Sequence, residues 1–549
     1  MAAGLATDQV LNQSPPYGDV DLYGSDRPLQ DAVAANGAGA EAAALSAFGR
    51  RWGSAEMFEQ ARLANENPPR LRAFDAQGRR LDVVEFHPAY HHFMAESVAA
   101  GLHASTWRAD GAPAAAPAEV ARAARFYMMA QVENGHMCPI TMTRASVAAL
   151  AVEPKLLGAV MPKIGSRQYD PAFRPWREKS GVTLGMGMTE KQGGTDVRAN
   201  VTRAEPDGDA YRITGHKWFM SAPMCDAFLT LAQAPGGLTC FFMPRFRPDG
   251  QVNALAFQRL KDKLGNRSNA SSEVEFADAH ALRVGGEGQG VRTILSMVQL
   301  TRLDCAISSA GMMRSALARA LHHCRHRSVF QRRLTDQPMM REVLADMALE
   351  VEGAVAAAMR LCRSYDLAAA SAAEAARARL LTPAVKYAVC KAAPALIYEA
   401  MECLGGNGYV EDGAMARLYR EAPVNAIWEG SGNVVALDVL RAFSRDGDAA
   451  CAVLDGLARE ADELPGAADA AAFVGKALAS AAGEADARVA VERLAMLAAA
   501  AALKASAPSE VAELFARTRL SGRRGASFGT GAVGEAGTAT LLGRALPEP

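Results

Sequence analysis

The sequence predicts an α+β chain that is mainly α, with helical modules on either side of one β module. Three observations carry this expectation. Apolar residues recur at three- and four-residue spacing over residues 26–180 and again over 286–443, the stripe of helices that bury one face. Residues 181–285 instead break into short apolar or alternating runs separated by turn residues, which is the strand and hairpin pattern. After Ser444 the composition turns Ala-rich, acidic and poor in aromatics, which marks an appended domain.

In chain order, residues 1–25 are rich in Pro, Gly and Asp and are expected to form an extended arm. The runs AVAANGAGAEAAALSAFGRRW, HPAYHHFMAESVAAGLH and AEVARAARFYMMAQVENG supply an N-terminal helical domain over 26–180. The runs VTLGMGM, AYRITGHKWFM, AFLTLAQ, LTCFFMP and SEVEFA, bounded by DGD, PGG and PDG, supply a middle β domain over 181–285. Long helical patterns beginning TILSMVQL and MMREVLAD supply a helix bundle over 286–443. Residues 444–549 are expected to form an appended helical domain whose Gly-rich last 28 residues make a loose tail.

A chain of 549 residues exceeds one hydrophobic core and is expected to divide into three or four domains. Half of the residues are hydrophobic, so there is ample apolar area for globular folding. With 59 basic against 60 acidic residues the net charge is −1, and any nucleic-acid or anionic-membrane contact would have to be a local patch. Apolar runs such as Leu494–Leu503 are too short to span a bilayer, so no membrane segment is expected. The N-terminus lacks a basic region followed by an apolar one, and a cytoplasmic location is expected. The nine cysteines show no CxxC pair or regular spacing, so free thiols and no structural metal are expected.

Three segments point to chemistry. In Met186–Val197 (MGMTEKQGGTDV) a strand runs into a turn of small and hydroxylated residues, where backbone NH groups can approach a flat ring or a phosphate. An ordinary hairpin turn has the same composition. In Thr214–Pro223 (TGHKWFMSAP) alternation sends Trp218 and Met220 to one face of a strand and Phe219 and Ser221 to the other, a pattern that core packing also produces. In Gly405–Asn433 a Gly-rich turn precedes Glu429, which stands between Trp428 and Gly430. A carboxylate among apolar neighbours acquires a raised pKa and can act as a general base, although a capping glutamate would read the same way.

Together these segments resemble the acyl-CoA dehydrogenase superfamily. GMTEKQGGTD looks like its strand-turn motif, GHKWFMS like its GxKxWIT strand, Arg327–Phe330 (RSVF) like its RxxF motif, and GGNG with WEGS like its C-terminal pair, all in the family's order. The arm LNQSPPYGDVDLY, the run CPITMT, the phrase LKDKLGNRSNASSEVEF and the extra C-terminal domain are similar to the AidB-type branch specifically. The resemblance implies the acyl-CoA dehydrogenase fold: an N-terminal helical domain, a β-barrel-like middle domain and a four-helix C-terminal bundle. It also implies a homo-oligomer, expected as a tetramer, with FAD as cofactor.

By position the resemblance implies flavin or phosphate contacts at Met188, Thr189, Gly194, Thr195, Phe219 and Ser221. It implies an adenine and pyrophosphate site at Arg327, Phe330, Gln337, Glu402, Gly405 and Gly406, completed by Ser431 and Asn433 across a subunit interface. A guanidinium suits that role because it grips a pyrophosphate with two hydrogen bonds. The implied reaction is α,β-dehydrogenation of an acyl-CoA thioester, with Glu429 taking the α-proton while the β-hydride passes to the flavin. Arg302 and Trp428 are expected to contact the substrate. Lys191 and Gln192 replace the Pro-Gly of the usual turn, and Phe219 takes the place of a stacking tryptophan.

Two other functions compete. The AidB-type resemblance implies a DNA-associated flavoprotein of the alkylation-damage response, for which Arg441, Arg517, Arg519, Arg523 and Arg524 are the candidate contacts. Against it, residues 446–549 hold 10 Lys+Arg and 14 Asp+Glu, whereas DNA affinity needs clustered cations. The third function is an acyl-CoA-binding flavoprotein without turnover. His322 and His326 lie four apart but lack a third metal ligand, and GGEGQG at Gly285–Gly290 lacks the strand and helix of a dinucleotide fingerprint.

Overall fold

A computed structural model describes residues 9–479 and 483–547. The first eight residues of the expected arm and the last two of the expected tail lie outside the described residues. The N-terminal part consists of α1 (Arg27–Val33), α2 (Ala42–Trp52), α3 (Ala55–Glu66), α4 (Pro88–Ala99), α5 (Ala118–Ala130), α6 (Met137–Leu150) and α7 (Pro154–Ile164). Local chemistry starts several of these. Asp26 caps α1 by accepting from the Leu29 NH at 3.1 Å, and Ser54 caps α3 through the Met57 NH at 3.3 Å. One hairpin stands among these helices. Arg70–Phe74 (β1) and Arg80–Glu85 (β2) form an antiparallel hairpin, because Asp75 accepts hydrogen bonds from the Gln77 and Arg79 NH groups and folds the turn.

The middle region holds β3 (Leu184–Gly187), β4 (Arg203–Asp207), β5 (Ala210–Ser221), β6 (Ala227–Ala234), β7 (Gly237–Pro244), β8 (Leu255–Leu260) and β9 (Ser271–Val284). Their order is β3-β6-β4-β5-β9-β7, with β8 on β9, and a β6–β7 pairing closes the strands on themselves. Phe228, Phe241 and Phe242 fill the interior.

The bundle is α8 (Gly290–His326), α9 (Pro338–Leu367), α10 (Ala372–Cys403) and, after α11 (Gly406–Tyr409), α12 (Ala414–Glu421) and α13 (Pro423–Ile427), the helix α14 (Gly432–Arg445). Two short strands, β10 (Ser328–Val329) and β11 (Arg332–Arg333), join α8 to α9. α10 is long and apolar enough to cross a membrane, with a mean hydropathy of 1.3 over its most apolar window, yet 78% of that window is buried inside the protein. It is placed as the core helix of the bundle. A buried ion network ties α8 to the N-terminal helices, with Asp304 accepting from Arg122 at 2.7 and 2.8 Å and from Arg144 at 3.2 Å.

The appended helices are α15 (Gly447–Glu460), α16 (Ala467–Ala479), α17 (Gly483–Ser506), α18 (Ser509–Phe515) and α19 (Glu535–Ala545). The loose tail expected over the last 28 residues is not what forms. α19 buries Leu541, Leu542 and Ala545, and Arg544 pairs with Glu352 at 2.5 Å and Asp31 at 3.0 Å. Phe515 docks against Gly353 of α9, where even an added Cβ would lie 2.3 Å from the ring. Glycine is needed there because the two elements touch at backbone distance.

Candidate active site

Glu429 lies in the link between α13 and α14. Its φ is +59°, and Gly430 follows at +103°, so the backbone turns back on itself at a residue with a side chain. Every carbonyl of this turn is held. The Nζ of Lys386, on α10, donates to the carbonyls of Trp428 at 3.0 Å and Gly430 at 2.6 Å, and Nε of Arg302, on α8, donates to that of Glu429 at 2.8 Å. Thr301 Oγ1 donates to Glu429 Oε2 at 2.8 Å. Burial pushes the Glu429 carboxyl above the usual glutamate range, opposed in part by Thr301 and then by the charges of Arg302 and Lys386.

Arg302, an expected substrate contact, lies inside the protein. It is 4% exposed, and its guanidinium is committed to the Glu429 carbonyl and to Asp438 at 2.6 Å, which Arg379 also grips at 2.9 Å. Trp428 is likewise fixed: its indole NH donates to Asn425 Oδ1 at 2.9 Å, and Asn425 in turn donates to Ser309 at 3.0 Å.

The strand-turn residues meet on the barrel. Glu190 and Lys217 form an ion pair at 2.7 Å with both side chains fully buried, and Glu190 also accepts from the Val201 NH at 2.7 Å. Burial pulls the Glu190 carboxyl up, but Lys217 and these hydrogen bonds outweigh it and bring the group to about 2. The pair joins the two motifs, and the Trp218 NH completes the joint by donating to the Thr189 carbonyl at 2.8 Å. Strict alternation along β5 fails here. The ladder with β9 shifts register between Lys217 and Met220, so the buried positions are Lys217 and Met220, three apart, while Trp218 is only half-buried and Phe219 is 48% exposed. A bulge adds one residue and re-aims its neighbours.

This corner fits a flat, phosphate-bearing group. Phe219 is half-exposed with the Lys261 ammonium 4.6 Å from its ring centroid, Ser221 Oγ lies 3.1 Å from Ser271 Oγ, and a Cβ on Gly194 would stand 2.2 Å from Thr189 Oγ1. Thr195 is exposed, while Met188 packs against the barrel core. Cys138, at the start of α6, is buried, and burial pushes its thiol up to about 12.

Arg327, Phe330, Gln337, Glu402, Gly405 and Gly406 lie elsewhere, while Ser431 and Asn433 follow Glu429 within four residues. Arg327 caps the end of α8 and donates to the Asn12 carbonyl at 2.7 Å, Gln337 starts α9, Phe330 is 90% exposed, and Asn407 beside Gly405 and Gly406 donates to Gln13 at 3.0 Å. Glu402 accepts from Tyr398 at 3.0 Å. Along α8, 25 residues separate Arg327 from Arg302, which touches Glu429, so this end lies ~37 Å along the helix from that contact at 1.5 Å per residue. Ser431 begins α14 without a side-chain cap, and Asn433 accepts from Arg488 at 3.5 Å.

Two of the arginines expected to form a nucleic-acid patch are engaged in ion pairs, and Arg517 is half-buried. Arg519 is buried and pairs with Asp346 at 2.6 Å and Glu350 at 3.0 Å, and Arg524 leans toward the same carboxylates. Arg441 and Arg523 are exposed. Sequence reasoning missed Thr301, Lys386, Asp438, Glu190, Lys217 and Cys138. A lysine inside the apolar run LLTPAVKYAVC was the available signal for Lys386.

Three family models match the chain: the adaptive response protein AidB N-terminal domain over residues 12–171, the acyl-CoA dehydrogenase middle domain over 185–279, and its C-terminal domain over 288–443. AidB of Escherichia coli (strain K12) is 51% identical over 442 residues, covering 80% of this chain and 81% of that one. Acyl-CoA dehydrogenase family member 11 of Caenorhabditis elegans is 32% identical over 423 residues, covering 73% of this chain and 67% of that protein. The crystal structure of C. elegans ACDH-11 in complex with C11-CoA superimposes with a TM-score of 0.83 at 28% identity, over 95% of this chain and 94% of that one. An acyl-CoA dehydrogenase complexed with FAD from Bacillus anthracis shares the fold at a TM-score of 0.64 and 16% identity, over 83% and 82% of the two chains.

Proposed function

Because the chain belongs to the acyl-CoA dehydrogenase family, in its AidB-type branch, and is FAD-dependent, we propose that it dehydrogenates an acyl-CoA thioester with Glu429 as the base. The observation that carries this reading is the desolvated, anchored Glu429 carboxylate, which accepts from Thr301 in a turn whose carbonyls are held by Arg302 and Lys386. Thr189, Gly194, Phe219 and Ser221 would hold the isoalloxazine end of FAD. When bound, the flavin supplies the two-electron acceptor.

The chain's own residues do the rest. Glu429 accepts the α-proton; Thr301 and Arg302 keep its carboxylate and backbone in one orientation; the fixed Trp428 beside it helps keep water from the base. The ~37 Å along α8 between the Arg302 contact with Glu429 and Arg327 supports a second copy completing the cofactor site with Arg327, Gln337 and the Gly405–Gly406 turn, as in a homotetramer. The solved relative holding C11-CoA supports a fatty acyl-CoA as the ligand class. Eight buried free cysteines support a reducing compartment such as the cytoplasm.

The test is a visible spectrum of the purified protein followed by anaerobic addition of a panel of acyl-CoA thioesters to wild type and Glu429→Gln. Bleaching of the flavin band by one thioester, lost in the variant with flavin retained, is the expected result. A band that persists with every thioester would leave a binding protein without turnover.

A further inference from the structure

The reading of Glu429 as a base leaves one buried charge unexplained. Lys386 is 1% exposed in the middle of α10, and among the described residues no carboxylate lies within ion-pair distance of it. Burying an ammonium without a counter-ion is costly, so such a group persists where other dipoles answer it. Here the dipoles are the carbonyls of Trp428 at 3.0 Å and Gly430 at 2.6 Å, the two residues flanking Glu429.

We infer that Lys386 is a positioning residue for Glu429: its ammonium, with Arg302, clamps the three successive carbonyls of residues 428–430 and so holds the carboxylate in its reactive orientation. The inference rests on the proposed role of Glu429. Geometry supports it. A non-glycine residue at φ +59° relaxes unless its surroundings over-determine it, and the carbonyls before, at and after Glu429 are all tied to cations from two different helices. A side chain that only packed α10 would not reach two carbonyls of a loop on another element.

The charge has a second consequence. The titratable groups facing Glu429 are Arg302 and Cys305 from α8, Lys386 from α10, Cys138 from α6, and Asp438 from α14, the last already paired with Arg302 and Arg379. Cys138 and Cys305 stay neutral, because burial raises both thiols. Lys386 and Arg302 are then the positive charges acting on the carboxylate, and of the two Lys386 carries no carboxylate partner. Removing it shifts Glu429 toward its protonated form.

Two measurements on the FAD-loaded protein test this. In the first, the carboxylic-acid infrared band that Glu429→Gln abolishes is titrated in wild type and Lys386→Met. The midpoint is expected to rise by about one pH unit, a tenfold change in the protonation constant. In the second, Lys386→Met is expected to lower kcat about tenfold or more while KM stays within about threefold, because the interaction serves the reacting carboxylate and not ground-state binding. Lys386→Arg, which keeps the charge, is the second variant, and its midpoint should remain near wild type.

An unmoved midpoint in folded, flavin-loaded Lys386→Met, or the same rise in Lys386→Arg, overturns the inference. Retained bleaching in Glu429→Gln is a different result: it removes the proposed base while the infrared comparison still reports whether Lys386 acts on that carboxyl.

Discussion

Thr301 donates a hydrogen bond to Glu429 across 2.8 Å, from the turn of α8 that also supplies Arg302. Two consecutive residues of one helix turn thus hold both the carboxylate and the backbone of the candidate base. A hydrogen bond to a charged group is worth about 1.5–3 kcal/mol, and this one favours the ionised carboxylate. Thr301→Val is expected to raise the Glu429 pKa further and to cut the rate at slightly acid pH about tenfold. The pH dependence of kcat/KM in both proteins checks it; an unchanged acid limb refutes it.

The pH sign for the wild type follows from the same carboxyl. Burial places Glu429 above the ordinary glutamate range, and the base works only when ionised. Activity is therefore expected to be full at high pH and to fall as pH drops through this raised pKa, at a pH above about 4.5. Rapid-mixing measurements of flavin reduction across pH would locate the limb.

The Glu190–Lys217 pair joins the two motif segments from inside the barrel wall. Lys217→Met leaves Glu190 buried without its partner, a change that costs about 3–5 kcal/mol. A lowered Tm with loss of bound FAD is expected. Acid also attacks this joint. The Glu190 carboxyl is depressed to about 2 from the ordinary glutamate value of 4.5, so its contribution is complete above about 4.5 and disappears as pH falls toward 2. A melting series from pH 6 to pH 3 should show this loss in wild type and much less of it in Glu190→Gln.

Gly194 is a steric requirement of the turn. Because a Cβ there would stand 2.2 Å from Thr189 Oγ1, Gly194→Ala must displace the threonine hydroxyl. FAD affinity is expected to weaken about tenfold or more with little change in helix content, which flavin titration of the apoprotein and circular dichroism together would read. Wild-type affinity in the variant would show that Thr189 does not hold the cofactor.

The arginines after Ser444 are expected to divide by burial. Arg519→Met breaks ion pairs with Asp346 and Glu350 and should lower stability by about 3–5 kcal/mol, whereas Arg523→Ala on the exposed turn should change it by less than about 0.5 kcal/mol. Denaturant titration of each variant distinguishes them.

Much of this was legible in the order of residues. The motif strings place Glu429 and the corner of Thr189, Gly194, Phe219 and Ser221, and period-3.6 and period-2 patterns mark the helical and β regions, because amphipathic burial acts along the chain and leaves its period there. The hairpin at residues 70–85 and the helix at 535–545 escaped. The first rests on a turn closed by one aspartate, and the second is stabilised by Arg544 reaching Glu352 and Asp31 far away in sequence.

The sequence by itself determined the family and the fold class and singled out the candidate base, since each is written in short strings of neighbouring residues. Only the tertiary structure decided what surrounds that base. Lys386, Thr301 and Arg302 reach Glu429 from helices more than forty residues away in sequence, and the bulge at Trp218–Phe219 depends on the register of β9. The physical reason is that burial and pairing energies belong to contacts between distant segments, which no local pattern records.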